Sequence, residues 1–194
     1  GERYAGQLDE KADKYIAYAI DGAQRMRRLI DDLLLFSRVQ TSAKPASPTD
    51  LNAVVDEALE LLAARVQESG AKIVREELPT LNADAAQLRQ VLTNLIGNAL
   101  KYVAPGTTPE VHIRAERRGP PGGVLGEDNG LGVDPAHHGR IFEIFQRLHG
   151  REAYPGTGIG LAIVKRVIER HGGRVWLESE LGAGATFCFS LPDA

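Results

Sequence analysis

A run of small and apolar residues near the start of the chain restricts its fold more than any other feature. Ala12, Ile16, Ala19, Ala23, Met26, Ile30 and Leu33 follow one another at alternating steps of four and three. That spacing draws a narrow seam along one side of an α-helix, and a helix with such a seam wants partner helices in a bundle or a dimer. One long helix is therefore predicted over residues 8–40. Its other faces carry Arg25, Arg27, Arg28, Asp31 and Asp32. The same pattern also suits a helix packed on its own domain, but the small alanine knobs favour a bundle. Residues 41–50 contain Pro45 and Pro48 among Ser and Thr, which predicts a linker. The predicted organisation is thus a helical segment 1–40, a linker 41–50 and a domain 51–194.

Beyond residue 50 the signals alternate. Thr49 or Asp50 caps a helix over 51–68 that Gly70 ends. A strand is predicted over 72–78. Asp84 caps a helix reaching Tyr102, and Gln87 three residues on completes a capping-box-like pair. Strands follow at 110–117 and 124–128, a short helix at 137–146 and a helix over 160–171. Strands at 174–179 and 186–191 close the chain. Helices mixed with runs of strands predict an α/β fold in two layers, a mixed sheet covered by helices on one face. Composition excludes other classes. No stretch approaches the roughly 20 apolar residues of a membrane helix. A net charge of -3 with mixed signs leaves no nucleic-acid footprint. Cys188 is the only cysteine, which excludes an intrachain disulfide or a cysteine-held metal cluster and fits a reducing cytoplasm.

Four later segments carry the chemistry. Asn94, Asn98 and Lys101 fall at i, i+4 and i+7, so one helix face presents two amides and an ammonium beside the apolar Leu88, Leu92, Leu95 and Ala99. Such a stripe suits a cleft wall that holds a metal and phosphate oxygens, and it also suits a solvated face. Asp128-Asn-Gly130-Leu-Gly132 puts a carboxylate at a strand end, followed by two glycines that let backbone approach a ligand. The carboxylate can accept from an exocyclic amine such as that of adenine. Asp-Asn-Gly is equally an ordinary turn. Gly156-Thr-Gly158-Ile-Gly160-Leu161 leads into a helix, and loop amides at a helix start favour phosphate. It lacks the Gly-Lys-Ser/Thr ending of a P-loop. Gly182-Ala-Gly184-Ala-Thr186 is a glycine turn entering the last strand.

In this order the four segments resemble the asparagine box and the three glycine boxes of the GHKL ATPase and kinase superfamily. Arg140-Ile-Phe142-Glu-Ile-Phe145-Gln-Arg147, between the first two glycine boxes, resembles the phenylalanine box of bacterial histidine kinases. The resemblance implies a two-layer GHKL (Bergerat) sandwich with a lid over 133–157, binding Mg2+ and ATP. By motif match Asn98 would ligate Mg2+, while Asn94 and Lys101 would contact phosphates or the metal shell. Tyr102 would flank the nucleotide. Asp128 would read adenine in a pocket lined by Gly130 and Gly132 and supported by Thr186. Phe142 and Phe145 would anchor the lid, Arg147 would face the γ-phosphate, and Gly156, Gly158, Gly160 and Leu161 would form the phosphate-side loop and helix start. The catalytic set implied is Asn94, Lys101 and Arg147.

Residues 8–40 resemble the second helix of a dimerisation and phosphoacceptor hairpin. The wording around Asp21-Gly-Ala-Gln and Phe36-Ser-Arg-Val, and Phe145-Gln-Arg-Leu-His-Gly-Arg-Glu, is close to the phytochrome-type subgroup of sensor histidine kinases. The implied partners are a homodimer mate through helix 8–40, a phosphoacceptor-histidine helix and a response-regulator receiver domain, with no nucleic acid and no membrane segment, in the cytoplasm. None of His112, His137, His138, His149 and His171 has the Ser-His-Asp/Glu context of the acceptor, so the acceptor is expected outside this sequence. Gly126 and the loop-like residues 118–123 predict a short or irregular strand before Asp128. Two other functions remain open: a nucleotide-binding docking module without kinase activity, and a GHKL-type ATPase. The ATPases of the superfamily place a glutamate where this chain has Asn94, so slow hydrolysis is expected.

Overall fold

The computed structural model describes residues 10–41, 44–116, 123–148, 150 and 154–192. The first residues of the predicted long helix, two linker residues, the loop-like segment at 118–122, His149 and the lid residues 151–153 lie outside them. Within this range α1 spans Glu10–Thr41, as the heptad seam predicts. The expected linker is only partly irregular, because Ser47–Asp50 forms a strand, β1. It pairs antiparallel with β3 (Thr80–Ala83), another strand absent from the sequence reading, in register Ser47 to Ala83. Both strands are four residues long, and Pro48 removes a backbone donor, so neither carries a strand signal of its own.

Helix α2 (Leu51–Ser69) starts where Asp50 accepts a hydrogen bond from the Asn52 N–H at 2.9 Å, and it ends at Gly70 with φ 64°. Strand β2 is Lys72–Arg75. Helix α3 (Ala85–Lys101) is capped by Asp84, whose carboxylate accepts from the N–H groups of Ala86 and Gln87. The capping-box expectation fails at its second half. The Gln87 side chain donates to the Val39 carbonyl at 2.9 Å and accepts from Arg170, while the Asp84 N–H goes to His171 Nε2. The predicted box is a three-way clasp joining α1, α3 and the next helix.

Strands β4 (Glu110–Glu116) and β5 (Gly123–Asp128) follow. Gly126 does not break β5, which pairs regularly on both sides from Gly123 to Asp128. The expected short helix at 137–146 is two 3-10 turns, Pro135–His137 and Arg140–Phe142. Helix α4 (Gly160–Arg170), β6 (Arg174–Ser179) and β7 (Ala185–Ser190) complete the fold. The main sheet runs β2-β4-β5-β7-β6, with β2 parallel to β4 and the rest antiparallel. Helices α2, α3 and α4 cover one face. Leu88, Val91, Leu92, Ile163, Val164 and Val167 from the helices meet Val111, Ile113, Val124 and Phe189 from the sheet in one buried core. This is the expected two-layer α/β sandwich preceded by a long helix.

Helix α1 does not leave the sandwich alone. Its end packs on α4, where Phe36 lies with its ring centroid 5.8 Å from the Arg166 guanidinium and Val39 is buried in the core.

Candidate functional site

The α3 stripe, the Asp128 turn and the glycine loop converge on one cavity of about 440 Å3. Its floor is α3: Gln90, Thr93, Asn94, Gly97, Asn98 and Lys101 all face it, one turn more than the sequence stripe predicts. The apolar residues on the neighbouring face of α3, Leu88, Leu92, Leu95 and Ala99, are buried, and they fix the rotation of the helix. Asn94 presses its Oδ1 against the start of α4; a Cβ on Gly160 would stand 2.9 Å from it. Its Nδ2 is buried and makes no hydrogen bond among the described residues, a donor aimed at an absent acceptor. A buried orphan donor costs about 1–3 kcal/mol, so an acceptor such as a phosphate oxygen relieves it.

Lys101 lies at the other end of the stripe. Its ammonium donates to the Tyr102 hydroxyl at 2.7 Å. Burial lowers its pKa to about 8, and the nearby guanidiniums of Arg147 and Arg65 add to the effect. Burial also raises the pKa of the Tyr102 phenol, so it stays neutral. Tyr154, which the sequence reading missed, stacks obliquely on Tyr102 with centroids 5.3 Å apart and donates to the Val103 carbonyl at 2.9 Å. No spacing in the chain links two tyrosines so far apart.

Asp128 ends β5 and accepts from the Gly130 N–H at 2.9 Å. Burial raises its pKa, opposed by the Gly130 and Ala185 amides. The turn after it is tied down twice. Leu131 N–H donates to the Tyr102 carbonyl at 2.8 Å, and Gly182 N–H donates to the Leu131 carbonyl at 2.7 Å. Gly132, at φ 67°, allows this closeness: a Cβ there would lie 1.9 Å from the Glu180 carbonyl oxygen. The turn between β6 and β7 is thus a brace beneath the Asp128 turn.

Most of the expected residues line the cavity: Asn94, Asn98, Lys101, Tyr102, Asp128, Gly132, Arg147, Gly156, Gly158, Gly160 and Leu161. Gly130, Phe142, Phe145 and Thr186 do not. Thr186 sits on β7 between Ala185 and Phe187, which do face the cavity, and the alternation of a strand turns it away. Phe142 is buried, edge-on to Phe187 with centroids 6.5 Å apart, and it holds the base of the lid. Phe145 engages the lid through its backbone rather than its ring. Its backbone takes the left-handed conformation, φ 66°, and its ring is 59% exposed. Its N–H donates to the Gly158 carbonyl at 3.0 Å, so the residue closes the loop through its backbone. Arg147 lines the cavity, yet its guanidinium donates to the carbonyls of Gly156 and Tyr154 and so holds the lid to itself.

Three further charged cavity residues were not anticipated in that role: Arg28 and Asp32 of α1, and Arg65 of α2. The Thr157 hydroxyl donates to the Asp32 carboxylate, which fastens the glycine loop to α1. Local spacing could not find them, because each enters from a segment placed by tertiary packing. No cluster of three His, Cys, Asp or Glu able to hold a metal exists among the described residues. Asn94 and Asn98 present carboxamides to the cavity, and an amide oxygen fits a hard cation that arrives with oxyanion ligands of its own. Burial raises the Cys188 thiol to about 12, which leaves no thiolate for nucleophilic chemistry. Among the described residues no helix is long and apolar enough to cross a membrane.

A family model described as the histidine kinase-, DNA gyrase B- and HSP90-like ATPase matches residues 83–194, more than half of the chain. The chain is 47% identical over 190 residues to cyanobacterial phytochrome A of Nostoc sp., a match covering 98% of this chain and 25% of that protein. It is 33% identical over 178 residues to the methanogenesis regulatory histidine kinase FilI of Methanothrix harundinacea, covering 91% of this chain and 20% of that one. The chain therefore spans about a quarter or less of these relatives. Among solved structures, full-length ShkA in complex with AMPPNP superposes with a TM-score of 0.73 at 32% identity, over 98% of this chain and 41% of that one.

Proposed function

Since this chain belongs to the histidine kinase-, DNA gyrase B- and HSP90-like ATPase family, we propose that it is the ATP-binding catalytic region of a phytochrome-type sensor histidine kinase. It passes the γ-phosphoryl group of magnesium-bound ATP to a histidine outside this sequence. The observation that carries this reading is the single cavity shared by Asn94, Asn98, Lys101, Asp128 and the Gly156–Gly160 loop. A ligand there meets a carboxylate, amides, an ammonium and loop N–H groups in one cavity. That set matches a purine joined to a phosphate chain.

Asp128 accepts a hydrogen bond from the exocyclic amine of adenine. Asn98 would hold Mg2+ through its carboxamide oxygen, and the ion would supply neutralisation of phosphate charge. Asn94 Nδ2 and Lys101 donate to phosphate oxygens, and the start of α4 at Gly160 adds N–H groups that Ile159 has no side chain to cap. The transfer itself needs little covalent help from the protein: a neutral imidazole nitrogen attacks the γ-phosphorus as the bond to the β-bridging oxygen breaks and ADP leaves. Positioning and charge stabilisation are what these side chains provide. The face of the cavity contributed by α1 supports docking beside a phosphoacceptor helix, with α1 as the second hairpin helix, a homodimer mate across its seam and a receiver domain as the later acceptor. The ATP required supports a cytoplasmic location for this region.

Calorimetric titration with a non-hydrolysable ATP analogue tests the reading. Binding should require Mg2+ and weaken at least about tenfold in Asn98→Ala, since a metal ligand and its second-shell support are typically worth that much. Unchanged affinity in the variant contradicts the metal assignment. A supplied helical hairpin carrying an acceptor histidine should become phosphorylated in trans; tight analogue binding without transfer would favour a docking module.

A further inference from the structure

Among the described residues four cations face the cavity, and they differ in what already occupies them. Arg147 is held by two lid carbonyls, and Lys101 by the Tyr102 hydroxyl. Arg28 reaches the Gln24 carbonyl of its own helix at 3.4 Å. The Arg65 guanidinium makes no hydrogen bond or ion pair among the described residues, although it lines the cavity. We propose that Arg65 of α2 is a phosphate-binding residue that receives the terminal phosphate of the bound nucleoside triphosphate. The assignment rests on the nucleotide reading above and adds to it a ligand from a helix that none of the family motifs includes.

Space, charge and position support it. Arg65 reaches the cavity across Gly97: a Cβ there would lie 3.7 Å from Arg65 Nη1 and 3.8 Å from Leu62 Cδ2. The missing side chain between Asn94 and Asn98 leaves the corridor open to a guanidinium. Leu62, one turn earlier on α2, is buried and fixes the rotation that points Arg65 this way. The only acids lining the cavity among the described residues are Asp32, hydrogen-bonded by Thr157, and Asp128, hydrogen-bonded by the Gly130 amide. Arg65 lies close enough to Lys101 for its charge to disfavour the protonated ammonium. Two neighbouring cations without an acid between them call for an anion. Helix α3 then gives a ruler. Its Tyr102 end touches the Asp128 turn, and Gly97 lies four residues, about 6 Å, further from that turn than Lys101. Arg65 therefore meets the part of the phosphate chain most distant from the base. A guanidinium fork suits two oxygens of one terminal phosphate.

The test compares wild-type chain, Arg65→Ala and Arg65→Lys in titrations with magnesium adenylyl imidodiphosphate, ADP and adenosine. Arg65→Ala should weaken the triphosphate analogue about tenfold, ADP less than about threefold, and adenosine not at all. Arg65→Lys should recover part of the loss, and affinity of the variant for the analogue should fall less steeply with salt than that of wild type. Arg65 is exposed, so the unliganded variants should melt with wild-type midpoints. Equal losses for ADP and the analogue, or no loss at all, would overturn the assignment. Failure of the wild-type chain to bind the analogue would sink the nucleotide reading, and this assignment with it.

Discussion

Lys101 shows how one residue can be tuned by the cavity it serves. Its pKa is about 8 in the fold against 10.5 for the free side chain, mostly through burial. The sign follows directly. Folding disfavours the ammonium, so the cost to stability is fully present below pH 8 and disappears as pH rises toward the unfolded value. For ligand binding the trend runs the other way, because phosphate needs the ammonium. Between pH 7.5 and 9.5 the affinity for the triphosphate analogue should fall by up to about tenfold per pH unit above the folded pKa. Lys101→Met should bind weakly with a flat profile. A wild-type profile equally flat over this range would mean that the ammonium does not touch the ligand. Lys101 was legible in the sequence because i, i+4 and i+7 on one helix must share a face. Arg65 and Tyr154 were not, because no periodicity connects residues brought together by the crossing of α2 over α3 or by a lid folding back. Thr186 shows the opposite limit: its glycine turn is plain in the sequence, but the alternation of β7 puts Ala185 and Phe187 rather than Thr186 on the cavity side.

Among the elements, α1 carries a second packed surface that its seam does not predict. The seam Ala12 to Leu33 was visible because it is apolar and periodic. A second stripe, Leu29, Asp32, Phe36 and Val39, runs beside it at steps of three, four and three, and this one packs toward α4 and the glycine loop. A carboxylate in its middle hid it from any search for hydrophobic period. The layered sandwich was legible from helix caps and strand runs, whereas β1 and β3 were too short to signal and the clasp at Gln87 needed a partner 48 residues away. Because Asp32 accepts from Thr157, α1 and the lid loop are one mechanical unit while that bond lasts. A part-buried hydrogen bond to a carboxylate, discounted for its exposure, contributes about 1 kcal/mol. In Asp32→Ala, amide hydrogen exchange at residues 156–158 should accelerate about fivefold, with the core amides of α3 unchanged. Exchange at wild-type rates in the variant would show that the loop is held without α1.

At the scale of the whole molecule, the chain combines a sandwich with its own buried core and a helix that spends only one stripe on it. The other stripe faces outward: Met26 is 61% and Ile30 57% exposed, and Ile16 and Leu33 are also exposed. Large aliphatic side chains in a continuous helical seam lose about 1.5–3 kcal/mol each by staying in water when a partner could cover them. A seam of this kind drives association until it is covered. The two stripes of α1 are neighbouring but separate, so pairing through the seam can leave the contact with α4 and the cavity intact. Sedimentation equilibrium should therefore show a concentration-dependent increase in mass. Ile30→Glu should weaken that association about tenfold or more by placing a charge where apolar contact forms. The same variant should keep wild-type affinity for the ATP analogue, since Ile30 does not line the cavity. A species of constant mass across the concentration range would mean that the seam is not a contact surface. Loss of nucleotide affinity in Ile30→Glu would mean instead that pairing and the cavity are coupled through α1, with the Asp32–Thr157 bond as the route.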